Sequence, residues 1–295
     1  MMKVGVGVDQ LSRRASGGIG TYVTGLIKGL EELRECEVVE FGRTAGRLAE
    51  IIQTRLWRYS DFGVARELDV IHATTLAGPF GRGGDSRRSL CLQDLLWRDQ
   101  PQSFTDAGRR FHESRYQQVI RREDITILVT TPAMVERLRD DGVSQERIAR
   151  ITLGIETAGP RQDSEDVRAL LKRYGVIGNF VLAIGTVEPR KNYERLITAH
   201  RHALVDDPSI GPLVIVGAPG WGSVDLDGAI HLTGLSTEYV NTLRDMATLH
   251  AYVPLAEGWG LPPLEALAVG GRVVASQTVP SVQGRADVVL VDPLD

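Results

Sequence analysis

Short runs rich in Val, Ile and Leu recur through this chain, at residues 4–8, 38–41, 70–73, 90–92 and 125–130, and again at 180–184, 213–216, 230–232, 250–253, 273–275 and 288–291. Helix-period stretches or loops separate them. Runs this short, apolar on both faces, read as strands buried on both sides. Strands that alternate with helices build a parallel sheet clothed by helices, so the chain is α/β. Ligands of such sheets collect beyond the carboxyl ends of the strands. The loops that follow the runs are therefore where function is sought.

The 295 residues suit two domains of roughly 150 residues each. Residues 154–168 contain Gly154, Gly159-Pro160 and a charged run that interrupts the periodicity. They read as the link between an N-terminal domain, 1–160, and a C-terminal domain, 161–295. A net charge of −4 provides no general basic field, which argues against nucleic acid as a partner. Cys36 and Cys91 form neither a disulfide framework nor a metal-ligand spacing, as suits a reducing cytoplasm. The histidines make no zinc pattern. No apolar run approaches the ~20 residues that span a bilayer, and the first residues turn polar too soon for a signal peptide. Residues 104–123 read as a helix or helix pair carrying Arg109, Arg110, Arg115, Arg121 and Arg122, interleaved with Asp106, Glu113 and Glu123. A solvated charged face is the plain reading. A basic face resting on an anionic membrane, giving peripheral contact, is the sharper one.

The stretch with most chemistry is Glu257-Gly-Trp-Gly-Leu-Pro-Pro-Leu-Glu265. Gly258 and Gly260 permit a tight turn and close approach to a ligand. Pro262 and Pro263 suit the first turn of a helix, which stops at Gly270-Gly271. A helix N-terminus after a glycine turn favours an anion, most often a phosphate. Glu257 and Glu265 flank that seat and suit the hydroxyls of a sugar attached to a nucleoside diphosphate. Upstream, the run 180–184 ends in Gly185-Thr-Val-Glu-Pro-Arg-Lys-Asn192, which puts Arg190 and Lys191 just past a strand end, where two cations would neutralise a diphosphate leaving group. The first strand leads through a loop, residues 9–16, to Gly17-Gly-Ile-Gly20 and a helix. That is the geometry of a phosphate-approaching loop or of a plain tight turn, with Gly25 and Gly29 allowing close packing of helix on sheet. His72 and Gln93-Asp94 end two other runs, making His72 and Asp94 weak acceptor-side candidates.

Gly17-Gly-Ile-Gly20, Gly185–Asn192, Gly217-Ala-Pro-Gly-Trp-Gly222 and Glu257–Glu265 occur in an order that resembles the retaining glycosyltransferases of family 4, the last stretch resembling that family's E-x7-E signature. The resemblance spans nearly the whole chain. It implies a GT-B fold: two Rossmann-like domains facing across a cleft, with the donor nucleotide sugar mainly on the second. The acceptor, a glycan, lipid-linked or small molecule, would lie mainly on the first. It implies retaining transfer of a hexosyl group, with a lean toward GDP-mannose or a deoxysugar nucleotide. No metal or other cofactor is implied, because basic side chains and a helix end take its place. Carried over, Glu265 binds the ribose hydroxyls and Glu257 faces hydroxyls of the transferred sugar. Arg190 and Lys191 hold the diphosphate and Gly18 lets the N-terminal loop approach it. Gly185, Thr186, Gly217, Gly258, Gly260 and Leu261 line the donor site.

The chain also departs from that pattern. Gln93 stands where the family usually has His, and Thr186 where many members have Arg, which leaves that role to Arg190. Relatives continue through terminal helices past the point matching Val291-Asp-Pro-Leu-Asp295, so the second domain is expected to be incomplete. The competing readings are a non-catalytic nucleotide-sugar-binding protein and a nucleotide-sugar epimerase on the same fold. A Rossmann oxidoreductase is disfavoured because the dinucleotide fingerprint and its downstream acid are not at the required places.

Overall fold

The structure is a computed structural model that describes residues 1–12, 17–81, 84–156 and 159–295. Residues 13–16 of the loop before Gly17, and residues 157–158 of the expected link, lie outside the described residues. The chain divides into two compact units, Met1–Gly154 and Ile155–Asp295.

The first unit runs β1 (Met2–Gly7), α1 (Gly17–Glu32), β2 (Cys36–Phe41), α2 (Arg47–Leu56), β3 (Val70–Ala73), β4 (Arg87–Cys91), α3 (Leu96–Asp99), α4 (Asp106–Ile120), β5 (Ile125–Val129), α5 (Pro132–Asp140) and β6 (Ile148–Arg150). Its six strands form one parallel sheet in the order β2-β1-β3-β4-β5-β6. Thr131 caps α5 by accepting from Met134 N at 3.2 Å, and Pro132 follows it. The strand order reverses between β1 and β3, where the Thr74 hydroxyl donates to Gly7 O at 3.0 Å.

The second unit runs α6 (Ser164–Arg173), β7 (Val181–Ile184), α7 (Tyr193–Asp206), β8 (Leu213–Val216), β9 (Ile230–Leu232), α8 (Thr237–Met246), β10 (Leu249–Tyr252), α9 (Leu261–Ala268), β11 (Val273–Ser276) and β12 (Val288–Val291). Its parallel sheet has the order β12-β11-β10-β7-β8-β9. Counted from its own first strand, that is the doubly wound order of a Rossmann fold, with the reversal between β7 and β10. The central strands explain why the sheet is buried: all four residues of β8 are at most 4% exposed. Each such branched side chain contributes roughly 1.5–3 kcal/mol when fully buried.

The structure corrects two readings and adds one strand. The charged run in the expected link is part of α6, capped by Asp163, which accepts from Glu165 N at 2.7 Å. Only Val167 and Leu171, one turn apart, are fully inward, so the run reads as polar. The strand β6 carries too short an apolar signature to be read at all. Gly25 and Gly29 do not serve close packing, since a Cβ at either would meet nothing within 4 Å.

Candidate functional site

In the second unit the order reversal places two loops side by side, one after β7 and one after β10. The first is residues 185–192, containing a short 3-10 turn at Pro189–Lys191. Asn192 closes it in the left-handed region, φ 62°, and its amide donates to Val253 O at 3.1 Å and Pro293 O at 2.8 Å. Leu255 N donates to Arg190 O at 2.9 Å, and the Arg190 guanidinium reaches Ala256 O at 2.8 Å. The Arg–Lys turn is thereby stitched to the loop that leads into Glu257-Gly-Trp-Gly260.

At this junction lies a nearly buried ionic cluster. Glu257 Oε2 accepts from Lys191 Nζ at 2.6 Å, Arg190 Nη1 at 3.1 Å and the Tyr252 hydroxyl at 2.5 Å. Arg190 Nη2 also meets Glu188 Oε1 at 2.5 Å, and Lys191 Nζ donates to the Tyr252 hydroxyl at 2.9 Å. The four charged side chains are only 11–15% exposed. Burial pushes the Glu257 pKa up, but the charges of Lys191 and Arg190 and the donated hydrogen bonds outweigh it and hold the pKa down at about 2. Burial and the Glu257 charge push the Tyr252 phenol well above its ordinary range, so it stays a donor. The two cations and two carboxylates balance.

Backbone proximity holds the surrounding loops. Val187 N donates to Ala218 O and Gly220 N to Val187 O, each at 2.9 Å. A Cβ on Gly217 would sit 2.0 Å from Gly185 O, so only glycine lets the loop after β8 lie this close. Thr186 Cγ2 stands against Gly220. Gly185, Thr186 and Gly217 thus belong to the wall of the same junction.

The helix α9 starts at Leu261, with Gly260 before it at φ 92°. A Cβ on Gly260 would collide with Val279 Cγ1 at 2.4 Å, so the turn requires glycine. The expectation of a full set of helix-end donors needs correction. Pro262 and Pro263 carry no N–H, which leaves only Gly260 and Leu261 as donors outside the helix ladder in the first turn. Glu265 Oε2, in the same helix, accepts from Arg244 Nη2 at 2.7 Å, with both side chains largely buried. Its Oε1 has no partner among the described residues. Gly258 N lies 3.3 Å from Glu257 Oε1.

The other candidates lie in the first unit. Gly18 is the exposed second residue of α1. His72 is buried and both ring nitrogens are engaged, Nε2 with the Tyr22 hydroxyl at 2.9 Å and Nδ1 with Ser89 Oγ at 2.8 Å. Burial lowers its pKa to about 4, so it is a neutral tie between α1, β3 and β4 instead of an open acceptor-side group. Asp94 Oδ1 accepts from Leu96 N at 3.0 Å and starts α3. The neighbouring Gln93 Nε2 is buried without a partner.

Of the arginines of residues 104–123, Arg110 and Arg121 are exposed, whereas Arg109, Arg115 and Arg122 are engaged within the protein. Arg115 is 2% exposed and donates to Leu76 O and Gly78 O. Arg122 donates to Phe80 O and Gly81 O and pairs with Asp124, and Arg109 pairs with Asp106 at 2.5 Å.

Several residues of the junction escaped sequence reading. Tyr252 and Asn192 had a usable signal, since each ends or follows an apolar run at the reversal. Arg244 had none, because its partner Glu265 is 21 positions away on another helix. The Trp259 indole N–H, buried without a partner, is a further unsatisfied donor in the glycine turn.

No protein-family model matches this chain. It is similar to the serotype-specific mannosyltransferase WbdA of Escherichia coli, 26% identical over 183 residues, which covers 56% of this chain and 22% of that protein. It is similar to O-antigen chain mannosyltransferase B of Escherichia coli, 33% identical over 148 residues, which covers 46% of this chain and 39% of that protein. Each match therefore spans well under half the length of the relative. Among solved structures, sucrose-phosphate synthase from Thermosynechococcus elongatus superposes with a TM-score of 0.72 at 17% identity, covering 100% of this chain and 87% of that one. HepE of Anabaena, solved in complex with UDP-glucose, superposes with a TM-score of 0.64 at 18% identity, covering 99% and 86%. These likenesses establish the fold, α/β of GT-B type with two Rossmann-like units.

Proposed function

We propose that this chain is a glycosyltransferase that moves a hexosyl group from a nucleoside diphosphate sugar to an acceptor hydroxyl. One observation carries the reading. Arg190, Lys191 and Glu257 meet at the carboxyl ends of β7 and β10, where the strand order reverses and where doubly wound sheets bind nucleotides. The mannosyltransferase relatives favour a mannosyl donor and a glycan acceptor. HepE, with UDP-glucose bound, supports a nucleoside diphosphate sugar as the donor class.

In this reading the donor diphosphate replaces Glu257 beside Arg190 and Lys191. The freed Glu257 carboxylate turns to hydroxyls of the sugar. Glu265 Oε1 takes a ribose hydroxyl while Arg244 fixes the other oxygen. The bond from the anomeric carbon to the phosphate oxygen breaks, and negative charge accumulates on the departing diphosphate. Fixed cations aimed at that charge are the largest catalytic contribution the site offers. The acceptor oxygen forms its bond on the face the phosphate leaves, and the leaving phosphate oxygen takes the acceptor proton. The anomeric configuration is then retained, and the two cations supply the charge that a metal would otherwise supply.

The test is turnover. Arg190→Ala and Lys191→Ala should each lower sugar transfer from a GDP- or UDP-sugar by on the order of a hundredfold. Transfer unchanged in both variants would remove the proposal. NMR of the product's anomeric proton reads retention directly, and an inverted product would refute the same-face step.

A further inference from the structure

The helix α2 is amphipathic with its faces reversed. Glu50, Gln53 and Thr54 are half-buried against the first unit. Leu48, Ile51, Ile52 and Leu56 point outward and are 73, 41, 50 and 37% exposed, and Tyr59 and Phe62 extend the same exposed apolar series at 75 and 59%. At 100° per residue the two groups fall on opposite sides of the helix. The inversion is held in place. Trp57, directly after the helix, is 1% exposed, donates its indole N–H to Phe62 O at 2.8 Å and packs edge-on against Phe41.

The exposed charges on the helix and just after it are basic. Arg47, Arg55 and Arg58 are exposed on or beside it. The neighbouring carboxylates are turned away: Glu50 is on the inner face, and Asp61 spends both oxygens on Arg88, at 3.0 and 2.6 Å. Next to the helix end lies a groove of about 580 Å³ whose walls include Arg58, Tyr59, Arg121 and Arg122. Of these, Arg122 pairs with Asp124, whereas Arg58 and Arg121 are exposed. The protein as a whole carries a charge of −4, so this basic border is local.

We infer that α2 and its basic border dock the protein on an anionic phospholipid bilayer. The apolar ridge lies in the headgroup layer, the arginines meet lipid phosphates, and the Arg58–Arg121 groove seats a headgroup. A helix with an apolar face flanked by arginines is the form that lies in the plane of a membrane interface. An uncharged apolar partner would leave these arginines without counter-charges, whereas an anionic surface supplies them. This inference does not depend on the sugar-transfer reading.

The experiment is co-sedimentation of the whole chain with vesicles of phosphatidylcholine alone, and of phosphatidylcholine mixed with phosphatidylglycerol. The expected result is binding to the anionic vesicles only, weakening as salt is added. Arg55→Gln combined with Arg58→Gln should weaken it roughly thirtyfold, two arginines' worth of attraction. Ile51→Gln combined with Ile52→Gln should weaken it by about tenfold with the melting temperature unchanged, because both side chains are already exposed. Absence of vesicle binding, or binding that neither pair alters, overturns the inference. So does a concentration-dependent dimer in solution that Ile51→Gln and Ile52→Gln abolish, which would assign the face to a second copy.

Discussion

Replacing Glu257 by glutamine removes one negative charge and almost no volume. In the folded protein this carboxyl titrates near 2 against an ordinary value of 4.5, so its ionised form is favoured by about 3 kcal/mol. That is the scale of loss expected when one partner of a buried pair is removed. Thermal unfolding of Glu257→Gln at neutral pH should therefore fall by on the order of 10 °C. The sign with pH follows. The folded-state pKa is depressed, so the contribution is complete above about pH 4.5 and is lost as pH falls toward 2. The variant lacks that portion of the acid sensitivity, and the two stability curves converge at low pH. Ligand affinity should move the other way. A nucleoside diphosphate no longer has to displace a competing carboxylate from Arg190 and Lys191, so calorimetry should show GDP or UDP bound at least tenfold tighter, a gain of about 1.4 kcal/mol. Sugar transfer should still fall. An unchanged melting temperature together with unchanged nucleotide affinity would refute the idea that Glu257 stands in for the ligand's phosphate.

Three further perturbations probe the same structure. Tyr252→Phe deletes the hydroxyl that donates to Glu257 and accepts from Lys191, and should cost about 1.5–3 kcal/mol by urea unfolding; an unchanged midpoint would show that the bond contributes nothing. Gly217→Ala places a methyl 2.0 Å from Gly185 O and should destabilise the second unit by about 1–3 kcal/mol while weakening donor binding; a variant of wild-type stability would mean the two loops can separate freely. Arg115→Met strands the Leu76 and Gly78 carbonyls and should lower stability by about 1–3 kcal/mol without altering vesicle binding; reduced vesicle binding at unchanged stability would return that arginine to a membrane role.

The central strands were legible because they are buried on both sides. Runs such as Leu213-Val-Ile-Val216 have no polar alternation to confuse them with surface strands. The grouping of Arg190 and Lys191 past the end of β7 was legible for the same reason, since a strand end plus a glycine fixes where the loop goes. What the sequence hid was pairing. Glu257 and Lys191 are 66 positions apart, and nothing local announces that the carboxylate would turn onto the cations instead of outward. His72 has the position of a site residue but the bonding of a core one, a difference carried by Tyr22 and Ser89 on other elements. The reversed polarity of α2 was also invisible, because periodicity gives the angle between faces and not which of them is inside. The two prolines after Gly260 were in plain view, and their missing N–H groups could have been subtracted from the helix-end donors without coordinates.

The most direct test is a crystal structure of the chain with a nucleoside diphosphate bound. The account predicts the terminal phosphate within hydrogen-bond reach, about 3 Å, of both Lys191 Nζ and the Arg190 guanidinium, with Glu257 moved off them. A nucleotide bound elsewhere, with the Arg190–Glu257–Lys191 contacts intact, would contradict it.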